Sequence, residues 1–310
     1  MPRHDAVALN CPAKINLALS VGSPDQSGLH PIASWMVAVR FGDRLSIEAW
    51  DAAQSRFDIR FQPDAPAGGT VTWPLGDDLA YRAHALLERR MGRPLPARVR
   101  LDKRIPVGSG LGGGSSNAAA TLVALDRQFD LGLDRDELVH LGQQLGSDVG
   151  FAVYAILGHP SVIVSGRGDR LEPVDQTDPV HLVLVLPPLA CPTPEVYRQF
   201  DAMKTAARSQ PQVREALPDL EAVRALVGQD LRSGLFNDLA DAACAVQPRL
   251  RDYREQLHQA LDLPAHITGS GAAMFVVTSS PEEAEAAASK ATAATGLPAV
   301  ATRTLERFHP

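Results

Sequence analysis

Three places along the 310-residue chain carry residue types that could act together on an anion. The first is Gly108-Ser109-Gly110-Leu111-Gly112-Gly113-Gly114-Ser115-Ser116-Asn117, where five glycines and three serines crowd residues 108–116. Successive small residues let backbone amides approach an anion without Cβ obstruction, and a helix after them adds unsatisfied N–H groups and partial positive charge. Such a segment is a phosphate cradle, and its alternative is a glycine turn of purely structural use. The second place is Lys14, beside the apolar run Ile15 to Leu19. An ammonium there is expensive to desolvate unless it meets an anion, or else its stem snorkels and carries the charge to solvent. The third is Asp148, just after Gly146, in a loop that can aim its carboxylate into a cleft or cap the next helix.

Other phosphate motifs fit less well. A P-loop ends in Gly-Lys-Ser/Thr, whereas Gly114-Ser115-Ser116 has no lysine. Gly108, Gly110 and Gly113 satisfy GxGxxG formally, but Lys103-Arg104-Ile105-Pro106 is a poor central strand because proline cannot donate to a ladder. Asp126 and Asp130 lie about 20 residues on, yet they fall within or at the end of a helix rather than at the tip of a second strand.

The elements that must position these groups show in the periodicity. Ala6 to Val21 and Ile32 to Ile47 are early strands, with Gly42-Asp43 inside the second. Residues 51–76 are loop-rich, and Leu79 to Met91 is a helix stopped by Gly92 and Pro94. Ala97 to Leu101 alternates as a short strand before the glycine loop. Ala118, Leu122, Leu125 and Phe129 then fall on one helical stripe that starts where the glycines end. Asp134 with Glu137 three residues later opens a helix running through Leu145 to Gly146. His181 to Leu186 is a buried strand, residues 201–262 are mainly helical, and Ala273 to Thr278 is a strand. A last helix starts at Ser280-Pro281 and closes at Gly296 and Pro298.

The length suggests two domains or one large one at roughly 150 residues per domain. A net charge of −6 offers no basic field for nucleic acid or anionic lipid, and no apolar run nears the roughly 20 residues of a membrane helix, so neither partner is expected. Cys11, Cys191 and Cys244 are isolated, which points away from a disulfide framework or zinc cluster and toward a reducing compartment. The polar start Met1 to Asp5 lacks the character of a signal or transit peptide, so the expected location is the cytoplasm. The histidines show no HxH or HExxH spacing, and no metal cage built from protein side chains is expected. Trp73 either packs near a bound base or covers the core, and the core is the simpler expectation.

The loop Pro106 to Ala119 resembles the ATP-binding motif of the galactokinase, homoserine kinase, mevalonate kinase and phosphomevalonate kinase superfamily. Pro12-Ala13-Lys14-Ile15-Asn16-Leu17-Ala18-Leu19 resembles its first motif and Thr268-Gly269-Ser270-Gly271-Ala272-Ala273 its third, so three matches in order span nearly the whole chain. Within that superfamily, the triple glycine, the Pro-Ala-Lys-Ile-Asn start, Leu145-Gly146-Ser147-Asp148-Val149 and Phe236-Asn237-Asp238-Leu239 are similar to the 4-diphosphocytidyl-2-C-methyl-D-erythritol kinases. Leu29 stands where that family usually has a tyrosine beside the nucleobase, Gly150 where proline is usual, and Asp78-Leu79 where Asn-Leu is usual.

The resemblance implies a two-domain α+β small-molecule kinase fold, with a cleft between an N-terminal ATP-binding and catalytic domain at residues 1–160 and a C-terminal substrate-side domain at 161–310. It implies ATP-dependent phosphorylation, with Mg2+, of a hydroxyl on a cytidine diphosphate polyol in non-mevalonate isoprenoid synthesis. The alternatives are a homoserine- or mevalonate-type kinase, or a nucleotide-binding regulator that has lost catalysis. The implied roles are Asp148 as base with Lys14 beside it, and Pro106, Gly108, Ser109, Gly110, Leu111, Gly112, Gly113, Gly114, Ser115 and Ser116 on the nucleotide. Asn16, Gly269, Ser270 and Gly271 fall on the acceptor side, with His30 at its nucleobase. Ser115 or Ser116 would hold the metal, or else form the helix N-cap.

Overall fold

The computed structural model describes residues 5–175, 178–207 and 217–308. The polar start at residues 1–4, and residues 208–216 of the stretch expected to be mainly helical, lie outside the described residues. In chain order the first part comprises β1 (Val7–Val21), β2 (Ile32–Ala49), β3 (Arg56–Phe61), α1 (Leu79–Met91), β4 (Ala97–Lys103), α2 (Gly113–Phe129), α3 (Arg135–Gln143), α4 (Ser147–Ile156), β5 (Ser161–Gly166) and β6 (Arg170–Pro173). The rest comprises β7 (His181–Val185), α5 (Thr193–Ala207), α6 (Leu220–Ala225), β8 (Phe236–Asn237), α7 (Ala240–Val246), α8 (Arg249–Leu261), β9 (His266–Ile267), β10 (Met274–Thr278), α9 (Pro281–Thr295) and β11 (Ala299–Arg303).

The α+β class follows from two sheets. A seven-stranded sheet runs β3-β4-β2-β1-β8, with β5 pairing the first half of β2 and β6 pairing β5. A four-stranded sheet runs β11-β7-β10-β9. The period-2 alternation of buried strands explains how the sheets stack. Leu182 and Leu184 of β7, with Phe275 of β10, enter the cluster that holds Ile15, Leu17 and Trp35 of the first sheet. Val183 and Val185, with Met274 and Val276, face the other way, onto α8 and α9. The other large cluster lies between the first sheet and α1 to α4, where Leu45, Leu101, Leu122 and Leu141 meet. Among the described residues no helix is long and apolar enough to cross a membrane.

The structure departs from the sequence reading in places with identifiable causes. The loop-rich stretch 51–76 contains β3, which pairs parallel to β4 and shows alternate half-exposure, so few apolar residues mark it. Gly42 lies inside β2 as expected; it sits opposite Pro12, where a Cβ would stand 2.5 Å from the Cys11 carbonyl oxygen. The Asp134–Glu137 capping box is present, but α3 stops at Gln143 and a new helix, α4, starts at Ser147. The glycines do not precede α2 as a block, since Gly113 and Gly114 form its first turn.

His266 gives the fold an acid sensitivity. Its ring stacks on Phe275 with centroids 5.3 Å apart, and its Nε2 is buried without a hydrogen-bond partner among the described residues. Burial, with Arg254 nearby, pushes the imidazole from 6.5 down to about 4. Between those values the unfolded chain binds a proton that the folded one refuses, so stability falls as pH drops from about 6.5 to about 4 and levels off below. The gap is worth about 3 kcal/mol. His266→Leu is expected to remove that component, seen as a smaller loss of urea stability from pH 7 to pH 4.5 than in the unsubstituted protein.

Candidate active site

Lys14 lies in the middle of β1, only 7% exposed, with register shifts between Pro12 and Ala13 and between Asn16 and Ala18 on either side. Such irregularities re-aim side chains that a regular ladder would point elsewhere. Its ammonium donates to Asn16 Oδ1 at 2.8 Å and stands 3.5 Å from Asp148 Oδ2. The anion that a buried ammonium requires is therefore Asp148. Asp148 is in the first turn of α4 rather than on a free loop, where the helix dipole favours a carboxylate. Asn16 is held from three sides: its Nδ2 donates to Ser34 Oγ at 2.8 Å, and its Oδ1 also accepts from Thr268 Oγ1 at 3.2 Å. Thr268 Oγ1 in turn accepts from the Asn16 amide at 3.0 Å.

The glycine loop is clasped between β1 and the turn at residues 268–271. Lys14 N donates to Leu111 O at 2.9 Å, and Ala273 N to Ser109 O at 2.9 Å. Gly110 has φ +79°, and a Cβ on it would stand 2.6 Å from Thr268 O and 2.9 Å from Gly271 O. Both obstacles are backbone atoms, so neither can swing aside. Gly110→Ala is expected to lower stability by about 2–4 kcal/mol through backbone strain and overpacking. The loop would have to part from the turn; an unchanged melting curve would refute the clasp. Gly112, with φ +71°, brings its Cα against the stem of Lys14, 2.9 Å from Lys14 Cγ for an added Cβ.

Over the loop opens a cavity of about 430 Å³, lined by Pro106, Gly108, Gly110, Gly112–Gly114 and Ser115. Trp73 is on this wall rather than in the core, and its Nε1 donates to Asp78 Oδ2 at 2.9 Å. Asp78 caps α1 by accepting from Ala80 N. Ser109 Oγ donates to Pro106 O at 2.8 Å, which tightens the turn. Neither serine of the Ser115-Ser116 pair is the N-cap of α2, because Gly112 holds that position. Ser115 reaches the cavity, whereas Ser116 Oγ is buried with no hydrogen-bond partner among the described residues.

On the other side of Lys14 lies the turn with Gly269, Ser270 and Gly271. A Cβ at Gly269 would be 3.3 Å from Lys14 Nζ and 3.5 Å from Asn16 Oδ1, so this turn also meets the Lys14–Asp148 pair. Ser270 Oγ pairs with Thr193 Oγ1 at 2.9 Å. His30 is not at the glycine loop. It packs on α5, with Nε2 2.9 Å from Asp201 Oδ1 and its ring 4.8 Å from that of Tyr197. Burial, with the negative charge of Asp148 as a lesser cause, pushes the Tyr197 phenol up to about 12.

Comparison with known proteins carries this arrangement to a family. The models described as GHMP kinases N terminal domain and GHMP kinases C terminal match residues 78–157 and 210–296. A 4-diphosphocytidyl-2-C-methyl-D-erythritol kinase of Caulobacter vibrioides is 35% identical, covering 93% of this chain and 94% of its own length. One from Geobacillus kaustophilus is 32% identical, covering 87% of each. A crystal structure of 4-(cytidine 5'-diphospho)-2C-methyl-D-erythritol kinase matches with a TM-score of 0.72 at 31% identity, over 96% of this chain and 99% of that one. The chain belongs to the 4-diphosphocytidyl-2-C-methyl-D-erythritol kinase family. A homoserine kinase from Cytophaga hutchinsonii, at 16% identity and a TM-score of 0.68, shares the fold.

This family member is an ATP-dependent small-molecule kinase. Two supports of its site escaped the sequence reading. Beneath the glycine loop, Asp43 accepts from Lys103 Nζ at 3.0 Å, Asn117 Nδ2 at 2.9 Å and the amides of Arg104 and Ile105 at 2.6 and 2.8 Å. Lys103 also donates to Asn117 Oδ1 at 2.7 Å. Behind the turn at residues 268–271, Asn237 Nδ2 donates to the carbonyls of Ile267 and Gly269, both at 2.8 Å, while Asp238 Oδ2 accepts from Val21 N at 2.9 Å. Asn237 and Asp238 thus tie the turn to the end of β1. The one signal available was the Phe236-Asn237-Asp238-Leu239 resemblance, which named no role.

Proposed function

We propose that the kinase transfers the γ-phosphoryl group of ATP to a hydroxyl on the methylerythritol part of 4-diphosphocytidyl-2-C-methyl-D-erythritol. The products are ADP and the phosphorylated polyol, formed without a covalent enzyme intermediate, as a step of non-mevalonate isoprenoid precursor synthesis. The observation that carries the reading is the 3.5 Å approach of Lys14 to Asp148, with the backbone of Lys14 bonded to Leu111 of the glycine loop.

Transfer to an alcohol needs the hydroxyl in line with the γ-phosphate, an acceptor for its proton, and positive charge against the transition-state oxygens. Asp148 accepts the proton, and Lys14 stabilises the phosphoryl group or the developing alkoxide. The loop amides and the N-terminus of α2 hold the nucleotide phosphates. Asn16 and the turn Gly269-Ser270-Gly271 position the polyol, and Asn16 has no freedom to swing because three partners fix its amide. His30 meets the cytosine edge, and Tyr197 supplies an aromatic face close to it while Leu29 is 53% exposed.

Ser115, which lines the cavity, is the hydroxyl residue placed to hold Mg2+, whereas Ser116, whose buried hydroxyl has no hydrogen-bond partner among the described residues, does not line it. When bound, the ion would neutralise phosphate charge beside the Ser115 hydroxyl. In this reading the N-terminal domain drawn at residues 1–160 supplies the loop, Lys14 and Asp148, and the C-terminal domain at 161–310 closes on them. The pairing of β5 and β6 into the first sheet supports drawing the seam later than 160, after Pro173.

A coupled ADP assay with the cytidine conjugate, homoserine and mevalonate tests the acceptor. Turnover with the cytidine conjugate alone is expected. Preference for either other alcohol would reassign the substrate, and tight ATP binding without phosphorylation of any acceptor would indicate a regulator.

A further inference from the structure

The Ser34 hydroxyl, on a residue of β2 that is 0% exposed, makes two hydrogen bonds with opposite roles. It donates to the Ala18 carbonyl at 2.7 Å and accepts from Asn16 Nδ2 at 2.8 Å. A hydroxyl has one proton, so once that proton lies on a carbonyl the oxygen has only lone pairs left to offer. Those suit the NH2 end of an amide and not its oxygen. The contact is made at the register shift between Asn16 and Ala18, where β1 bulges against β2 and its side chains leave the regular alternation.

The orientation of Asn16 fixes what Lys14 meets. With Nδ2 on Ser34, Oδ1 faces Lys14 Nζ at 2.8 Å. An ammonium donates and never accepts, so the reverse orientation would set two donors against each other. It would also either press Oδ1 on the Ser34 lone pairs or strip the Ala18 carbonyl of its proton. Thr268 does not make this choice: its hydroxyl lies 3.2 Å from Oδ1 but can donate or accept, and so suits either end of the amide. Lys14 does not make it either, because its flexible stem lets the ammonium withdraw. Ser34 is the partner whose proton is already taken by a backbone carbonyl. Burial enforces the choice, since Asn16 is 2% exposed and Lys14 7%, and an unmatched polar group there keeps its full desolvation penalty.

We propose that Ser34 is a positioning residue of the phosphoryl transfer: through the polarity of the Asn16 amide it sets where the Lys14 ammonium stands, 3.5 Å from Asp148 Oδ2. One ammonium proton stays on Asn16 Oδ1, which leaves the others for Asp148 and the transferring group. This role rests on Lys14 and Asp148 being the reacting pair.

The test is steady-state kinetics of Ser34→Ala, Ser34→Thr and Ser34→Cys beside Asp148→Asn, each with a melting curve. Ser34→Ala is expected to lower kcat roughly 10- to 100-fold, the scale of a small misplacement of reacting groups, while KM for ATP stays within about twofold of the parent. Ser34→Thr retains the hydroxyl and should recover most of kcat. Ser34→Cys, close to serine in volume, offers only a weak donor and a weak acceptor and should stay near the alanine value, which decides the matter where the threonine methyl is not accommodated. A loss of packing alone would lower stability and leave kcat per folded molecule at the parent value in all three. Parent kcat in Ser34→Ala or Ser34→Cys, with Asp148→Asn slow, overturns the role of Ser34 and leaves the reacting pair standing. A fully active Asp148→Asn overturns the pair and the role with it. A folded Ser34→Thr as slow as Ser34→Ala also overturns the role, because the hydroxyl would then not be what places Lys14.

Discussion

Asp148→Asn is expected to lower kcat roughly a hundredfold to ten-thousandfold, the range that a positioned proton acceptor supplies. ATP affinity should change little if the nucleotide occupies the cavity over the glycine loop, whose lining does not include Asp148. Asparagine keeps the shape of the side chain in the first turn of α4 but removes the charge that faces Lys14. A structural role alone would therefore survive this change better than a proton-accepting one. The charge loss also strands the Lys14 ammonium, whose remaining partner is Asn16 Oδ1. A double-variant cycle with Lys14→Met separates the two effects. If Lys14 and Asp148 act as one unit, the double variant should be scarcely slower than either single one. Most of the activity retained in Asp148→Asn, with kcat and its pH profile unchanged, would remove Asp148 as the base.

The parts of the fold legible in the sequence were those set by local pattern. The unbroken apolar run Leu182, Val183, Leu184 and Val185 marked a buried strand, and its two faces enter different clusters. Ser280, Pro281 and Gly296 marked both ends of α9, and all three hold those positions. The glycine segment stood out because nothing else in the chain combines small residues with a following helix, and the structure brings it against Lys14. What escaped depended on distant pairing. β3 is exposed on one face and only half-buried on the other, and is recognisable only once β4 is beside it. Asp148 looked like a loop residue because Gly146 promised a helix end, whereas α3 had already stopped at Gln143 and Gly146 serves as the N-cap of α4. Tyr197 and Asp201 reach His30 from an amphipathic helix with no motif, so only the chain's packing discloses them.

Asp43 is the clearest case of a residue silent in sequence and central in structure, and Asp43→Ala is expected to cost about 3–5 kcal/mol. Its carboxylate is 0% exposed as a side chain and accepts from Lys103, Asn117 and two backbone amides, with partners 60 to 74 positions away. Removing it leaves the Lys103 ammonium buried, with Asn117 Oδ1 as its remaining oxygen, and leaves the amides of Arg104 and Ile105 unpaired. Each of those is more expensive than the ion pair's net worth, because an unsatisfied buried group incurs its full desolvation penalty. Replacing both partners, as in Asp43→Leu with Lys103→Met, should therefore recover part of the stability lost in Asp43→Ala, as read from urea midpoints. It should not recover nucleotide binding. The two amides define where the chain turns from β4 into the glycine loop, and without an acceptor there the cradle loses its fixed base. A double variant that regained stability and kept the parent KM for ATP would show that the network holds the core and not the loop.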